Sequence, residues 1–358
     1  MTRQDFLIKW GVYALALVPV WFLELFVLNR FPLFGVAPML LPLAAVCVAV
    51  LEGTTAGAGF GLFVGILCDA AYFNTDGAMT VGLCLIGVGA GSTALGDTHI
   101  YCGTSGWVST VVDKSIVDAS AMVAAIVGAQ PERFNYFAEL ETAGKCLEWV
   151  KDHLALDEID IYLEKKHVAE SQEAVYTSLY DYMAKVISEV PAGSNGVIFT
   201  PWLHGNRCPF EDPNARGMFF NISLETGKTE LIRAVTEGVC FHLRWFLETE
   251  EKKIKTSDTI RFVGGGALSD VTCQILADCI GRKVETVDSP QNVGAVGAAV
   301  VVAVGLGLLP SLDEAKRMVP AKKTFTPNPA VKPIYDRNYA VFQELYKANK
   351  KNFAALNG

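Results

Sequence analysis

The chain has 358 residues, 51% of them hydrophobic, and its 30 basic against 38 acidic side chains give a formal net charge of −8. That acidic balance, with a pI of about 5.3, excludes nucleic acid as a partner, because phosphate binding needs a basic face. Nine cysteines without a Cys-x-x-Cys pair and five dispersed histidines indicate neither a disulfide frame nor a metal site.

The first part of the chain stands apart in composition. Up to Gly87 its charged residues are Arg3, Asp5, Lys9, Glu24, Arg30, Glu52, Asp69 and Asp76, so the mean hydropathy of +0.31 averages an apolar piece and an ordinarily charged one. Residues 10–28, 34–51 and 55–73 are apolar runs near the roughly 20 residues that cross a bilayer, and they predict membrane spans. The first run is long for a signal peptide, and the next small-x-small site, Gly35-Val-Ala37, comes only after Arg30. Gly53, Gly57, Gly61 and Gly65 recur every four residues, which puts them on one helix face where a second helix can approach closely. Asp69 falls near the end of that run and reads either as reaching water or as a polar contact inside a bundle.

The pattern Leu51-Glu-Gly-Thr-Thr-Ala-Gly57, then Gly61-Leu-Phe-Val-Gly-Ile-Leu-Cys-Asp69 and Asp76-Gly77, resembles the rod shape-determining membrane protein MreD family of bacterial cell elongation. The resemblance implies an all-α transmembrane segment over residues 1–87, with membrane lipid and other membrane helices as partners and the bacterial inner membrane as location.

From Val88 onward the pattern changes. Strands are predicted near 99–102, 107–112, 134–140, 196–200, 259–263 and 283–286, and helices near 143–150, 171–189, 228–249, 271–280, 293–305 and 333–349. Strands first, then strand–helix alternation, fit an actin-like α/β domain over residues 88–358. Two strands run into glycine turns, Ile100-Tyr-Cys-Gly103-Thr104-Ser105-Gly106 and Arg261-Phe-Val-Gly264-Gly265-Gly266-Ala267, the second followed by an amphipathic segment. Such turns let backbone N–H groups approach a phosphate at the positive end of a helix, and a pair of them suggests a nucleotide cleft built from two strand ends. Gly227-Lys228-Thr229 imitates the end of a Walker motif, but Ile222 stands where its first glycine belongs.

With these turns go Gly96-Asp97, Cys102-Gly-Thr-Ser-Gly-Trp107, Ala143-Gly144 leading to Trp149, Pro201-Trp-Leu-His-Gly205, Asp212-Pro-Asn-Ala-Arg-Gly217, Arg233-Ala-Val-Thr-Glu-Gly238, Gln274-Ile-Leu-Ala-Asp278 and Gly294-Ala-Val-Gly-Ala298. In this order they resemble the C-terminal half of the FGGY carbohydrate kinases, most closely the xylulokinase-like branch. The resemblance implies ATP and Mg²⁺, with phosphoryl transfer to a sugar such as xylulose. It implies a phosphate hairpin at Gly103, Thr104 and Ser105 and an adenosine turn at Gly264, Gly265, Gly266 and Ala267. It places purine-side contacts at Ser269, Gln274, Gly144 and Glu148.

The resemblance also implies a base. Such a kinase needs one near the sugar hydroxyl, in line with the γ-phosphate. The family keeps this aspartate in a Gly-Gly-x-Asp segment of its N-terminal lobe, and Gly87-Val-Gly-Ala-Gly-Ser-Thr93 fills the matching place without an acid. Asp97 matches a turn residue, and Asp69 and Asp76 fall in or beside the apolar runs, so no catalytic residue is assigned. His204 and Arg207 read as bracing their loop.

Positive residues before the first run favour a cytoplasmic N-terminus. Three spans would then put the kinase-like domain outside, and a fourth over residues 78–95 would return it to the cytoplasm while taking residues the kinase fold needs. The expectation is a truncated fusion, inactive alone, with weak or absent ATP binding. The competing readings are a membrane scaffold of cell-shape type with an incidental soluble tail, and a kinase that takes sugar only when a separate N-terminal lobe is supplied.

Overall fold

A computed structural model describes residues 3–26, 44, 48, 76–154 and 179–358. The chain divides into two compact units, Met1–Gly82 and Leu83–Gly358.

In the first unit, α1 (Arg3–Phe26) is a continuous helix with Pro19 inside it. Trp10 and Tyr13 meet edge-on with ring centroids 5.7 Å apart, and Leu17 is buried while Leu15, Val18 and Phe22 are exposed. Among the described residues no helix is long and apolar enough to cross a membrane. The spans expected at 10–28 and 78–95 therefore find no support. Most of 34–51, all of 55–73, the glycine stripe and Asp69 lie outside the described residues.

The unit boundary falls inside α2 (Asp76–Gly89), which carries Asp76 as its first described residue. That helix stops at a Schellman turn. Gly91 takes φ +70°, its N–H donates to the Val88 carbonyl at 2.9 Å, and the Ser92 N–H reaches the Gly87 carbonyl at 2.8 Å. Residues 78–95 are thus not one helix, because the chain leaves the helical path at a glycine that accepts left-handed backbone without a Cβ clash. The following turn is tied by Asp97, whose Oδ2 accepts the Ala94 N–H at 3.0 Å and whose Oδ1 meets Lys316 at 2.8 Å.

The second unit continues with β1 (Thr98–Cys102), β2 (Gly106–Val112), β3 (Val117–Asp118), β4 (Val123–Val127), β5 (Phe134–Leu140), α3 (Gly144–His153), α4 (Leu179–Glu189), β6 (Ile198–Phe199) and β7 (Phe219–Phe220). It closes with α5 (Lys228–Glu250), β8 (Thr259–Val263), α6 (Asp270–Ile280), β9 (Lys283–Val287), α7 (Val293–Gly305), α8 (Ala315–Met318), β10 (Ala321–Phe325) and α9 (Lys332–Asn357). Among the described residues, eight strands form one sheet in the order β10-β9-β8-β1-β2-β5-β4-β3. β1, β8 and β9 are parallel neighbours, whereas β1, β2, β5, β4 and β3 pair antiparallel in turn.

Alternation along the strands builds two cores. Ile100 and Cys102 of β1 and Phe262 of β8 face the larger one with α5 and α6, while Tyr101 and Val263 face a smaller one with Val287 and Val293. β2 is buried along its whole length, as a central strand covered on both faces must be. On the smaller side α2 and α7 cross backbone to backbone. A Cβ on Gly297 would stand 1.8 Å from the Leu85 carbonyl oxygen and 2.9 Å from the Gly89 nitrogen.

The predicted strands and helices of this unit appear, with α3 and α9 running further than expected and residues 171–178 outside the described part. β3, β4, β7 and β10 were not anticipated. β10 is the reason in miniature: Ala321-Lys-Lys-Thr-Phe325 is an exposed, charged edge strand, without the apolar alternation that marks a half-buried one.

Candidate functional site: two glycine turns at one sheet edge

Because β1 and β8 are parallel neighbours, with Tyr101 opposite Val263, both end at the same edge of the sheet and both enter their glycine turns there. In the first turn the Gly103 N–H donates to the Ser105 carbonyl at 2.9 Å. The carbonyls of Gly103 and Thr104 point the other way, into the start of α3. Gly103 accepts the Gly144 N–H at 2.8 Å, and Thr104 accepts those of Ala143 and Lys145 at 3.1 and 3.2 Å. A trans peptide sets its N–H opposite its C=O, so the N–H groups of Thr104 and Ser105 face away from α3. Neither has a partner among the described residues.

The second turn wraps the end of β1. Gly264 holds φ +91°, and a Cβ there would lie 2.5 Å from the Cys102 carbonyl oxygen. Gly266 packs on the Cys102 side chain, 3.0 Å from a Cβ placed on the glycine, whereas Gly265 is open with nothing within 4 Å. The Gly264 N–H is held by Pro290 O at 2.8 Å and that of Ala267 by Gly264 O at 3.2 Å. The N–H groups of Gly265 and Gly266 have no partner among the described residues. Unpaired donors thus stand on two adjacent turns, the arrangement that receives an anion. Beneath them burial pushes the Cys102 and Cys273 thiols up to about 12, which keeps both neutral and free of negative charge under the turns.

Of the residues singled out from the sequence, Gly103, Thr104, Ser105, Gly144, Gly264, Gly265, Gly266 and Ala267 converge here. Ser269 caps α6, its hydroxyl accepting the Thr272 N–H at 3.3 Å. The Gln274 amide nitrogen is occupied by Asp278 at 2.8 Å and by the Thr326 carbonyl at 2.9 Å, and Glu148 pairs with Lys145 at 2.9 Å. Gly227-Lys228-Thr229 begins α5, where Glu230 accepts the Gly227 N–H at 3.1 Å.

Beside the first turn lies a pocket of about 440 Å³ whose walls include Thr104, Thr142, Lys145, Trp149, His153 and His204. Trp149 and His153 stack with centroids 5.2 Å apart. Sequence reasoning passed over Thr142, Lys145 and His153 and used Trp149 only as a landmark. The signal was there, since 145, 149 and 153 recur every four residues and share a helix face. Arg207 braces its loop against β5, 3.3 Å from Glu139 and 3.9 Å from Glu141. A larger pocket of about 560 Å³ lies at the opposite ends of these strands, around Asp97, Lys114 and Lys255, away from the unpaired donors.

The comparisons with known proteins agree with this geometry. Residues 99–306 match the model of the FGGY family of carbohydrate kinases, C-terminal domain. The chain is 26% identical over 270 residues to the xylulose kinase of Bacillus subtilis, covering 75% of this chain and 50% of that protein. It is 27% identical over 244 residues to the gluconokinase of the same organism, covering 68% and 45%. Among solved structures, the ligand-bound xylulose kinase from Lactobacillus acidophilus superposes with a TM-score of 0.65 at 26% identity, over 76% of this chain and 51% of that one. The chain spans about half the length of the curated relatives it matches, and the family match leaves residues 1–98 outside it. None of these matches bears on the MreD resemblance of the first part. The parallel strand ends, their paired glycine turns and the match over residues 99–306 together establish that the chain belongs to the FGGY family of carbohydrate kinases, through its C-terminal domain.

Proposed function

We propose that the second unit holds the phosphates of ATP for transfer to a hydroxyl of a small sugar or sugar acid, the class that xylulose kinases and gluconokinases act on. The observation that carries this reading is the set of unpaired N–H groups on Thr104, Ser105, Gly265 and Gly266, donors of the kind that receive phosphate oxygens. Those donors fit an anion. Among the described residues no cluster of His, Cys, Asp or Glu could hold a metal ion, so Mg²⁺ would arrive on the nucleotide's own phosphate oxygens.

The turns position phosphate and supply electrostatic stabilisation, the larger part of phosphoryl-transfer catalysis. They supply no base for the acceptor hydroxyl, and none is assigned. The chain by itself is accordingly proposed to bind Mg-ATP weakly and to hydrolyse it at background level, with sugar phosphorylation restored by a separate N-terminal lobe. The apolar runs at 34–51 and 55–73, which lie largely outside the described residues, are read as attaching the chain to the bacterial inner membrane, and two crossings would leave this unit on the side of the N-terminus, the cytoplasm. Fractionation and protease accessibility test that part.

Titration of Mg-ATP into the full chain, beside Gly265→Asp, tests the nucleotide reading. Gly265 is exposed and unpacked, so the substitution leaves the fold intact and sets a carboxylate where phosphate would lie. Binding by the native chain and at least a tenfold loss in the variant is expected. Equal affinities would sink the assignment.

A further inference from the structure

Thr142 stands just before α3, where a threonine is expected to cap the helix, yet no side chain caps α3. Its hydroxyl, 6% exposed with the rest of the residue, instead donates to the Pro201 carbonyl at 2.5 Å. The Thr142 carbonyl accepts the Cys146 S–H at 2.8 Å. The first of these bonds fastens the beginning of α3 to the loop that follows β6, and the second ties Thr142 to the first turn of the helix. The next three N–H groups, of Ala143, Gly144 and Lys145, hold the carbonyls of Gly103 and Thr104, and those carbonyls dictate which way the Thr104 and Ser105 N–H groups point. Space allows little slack, because Ala143 Cβ lies 2.8 Å from where a Cβ on Gly106 would stand.

We propose that Thr142 is a positioning residue for nucleotide binding: it anchors the N-terminus of α3 so that α3 orients the phosphate-facing amides of the Gly103-Thr104-Ser105 turn. The proposal rests on the nucleotide reading given above and adds a residue that touches no phosphate. Removing the hydroxyl leaves the Pro201 carbonyl, among the described residues, with the Cys146 thiol 4.0 Å away. The α3 start then loses its anchor, and the turn amides lose their fixed direction.

The test is Thr142→Val against Thr142→Ser in the full chain, with Thr249→Val as a matched control. Thr249 is a buried threonine whose hydroxyl donates to the Trp245 carbonyl at 2.7 Å, within α5. Thr142→Val should weaken Mg-ATP binding about tenfold, the scale of one buried hydrogen bond, while Thr142→Ser stays within about twofold of the native chain. Thr249→Val should lower thermal stability and leave affinity unchanged. Native affinity in Thr142→Val, equal loss in Thr142→Ser, or equal loss in Thr249→Val would overturn the proposal. If the native chain binds no nucleotide, the failure lies with the nucleotide reading, and hydrogen exchange decides the positioning role. Thr142→Val must then speed exchange of the Ala143, Gly144 and Lys145 amides while Thr142→Ser does not. Unchanged exchange in Thr142→Val refutes it.

Discussion

The Gly144 N–H donates to the Gly103 carbonyl at 2.8 Å, and a Cβ on Gly144 would stand 2.3 Å from that same oxygen. The glycine is therefore needed for approach, since its backbone comes closer to the turn than any side chain permits.

Gly144→Ala should push the turn and α3 apart. The expected cost is about 1–3 kcal/mol in urea unfolding, the range of an overpacked contact, together with a loss of Mg-ATP affinity at least as large as that of Gly265→Asp. A variant of native stability and affinity would show that the turn adjusts freely.

Gly297→Ala addresses the crossing of α2 and α7. The Leu85 carbonyl oxygen lies 1.8 Å from the added methyl position and is backbone, so neither helix can relieve the overlap by a rotamer change. Destabilisation of about 3 kcal/mol or more is expected. Calorimetry showing an unchanged melting temperature would contradict the crossing as described.

Glu237 is the hub of a buried network. It takes Arg233 Nε at 2.7 Å, the Tyr335 hydroxyl at 3.0 Å, the Ser194 hydroxyl at 2.8 Å and the Gly193 N–H at 2.9 Å. Glu237→Ala should cost about 3–5 kcal/mol, because it leaves the Arg233 charge buried without its partner. Denaturation midpoints decide it, and a loss below about 1 kcal/mol would mean that water reaches the arginine.

Stability should depend on pH through three buried groups. Burial holds His99 and His242 at about 4, below the ordinary imidazole value of about 6.5. Their contribution is complete above pH 6.5 and is lost as pH falls towards 4, by at most about 1.4 kcal/mol per unit for each. Glu250 is pushed well above the carboxylate range by burial, so it opposes folding increasingly as pH rises past 4.5. Thr110 donates to it at 2.7 Å while its other oxygen has no partner among the described residues. His99→Leu should therefore remove about half of the loss on the acid side. Glu250→Gln, which keeps the Thr110 bond and removes the charge, should raise stability at pH 8 by about 1 kcal/mol or more. Parallel pH curves for the native chain and both variants would refute this account.

Much of the second unit is written locally. The turns at Gly103 and Gly264 and the apolar runs of β1, β2 and β8 follow from steric and hydrophobic rules that act over a few residues, whereas the span drawn over 78–95 overran the glycine at 91 that stops α2. The edge strands β3 and β10 escaped because an edge needs charge more than apolar alternation. Thr142 escaped for another reason. Its neighbours in sequence present it as a helix cap, and only the return of the chain at Pro201 supplies a better acceptor.

The amino-acid order by itself therefore determined the types of the longer elements of the second unit, the glycine positions able to take tight turns, and the change of character near Gly87, since each depends on side-chain chemistry at short range. The tertiary structure alone decided that the turns meet, because parallel pairing of β1 with β8 joins segments about 160 residues apart in the chain. It also decided that α2 ends against α7, and that the first amides of α3 set the direction of the phosphate-facing turn. Those outcomes hang on non-local packing, in which one strand register or one backbone approach selects among arrangements that the local sequence leaves open.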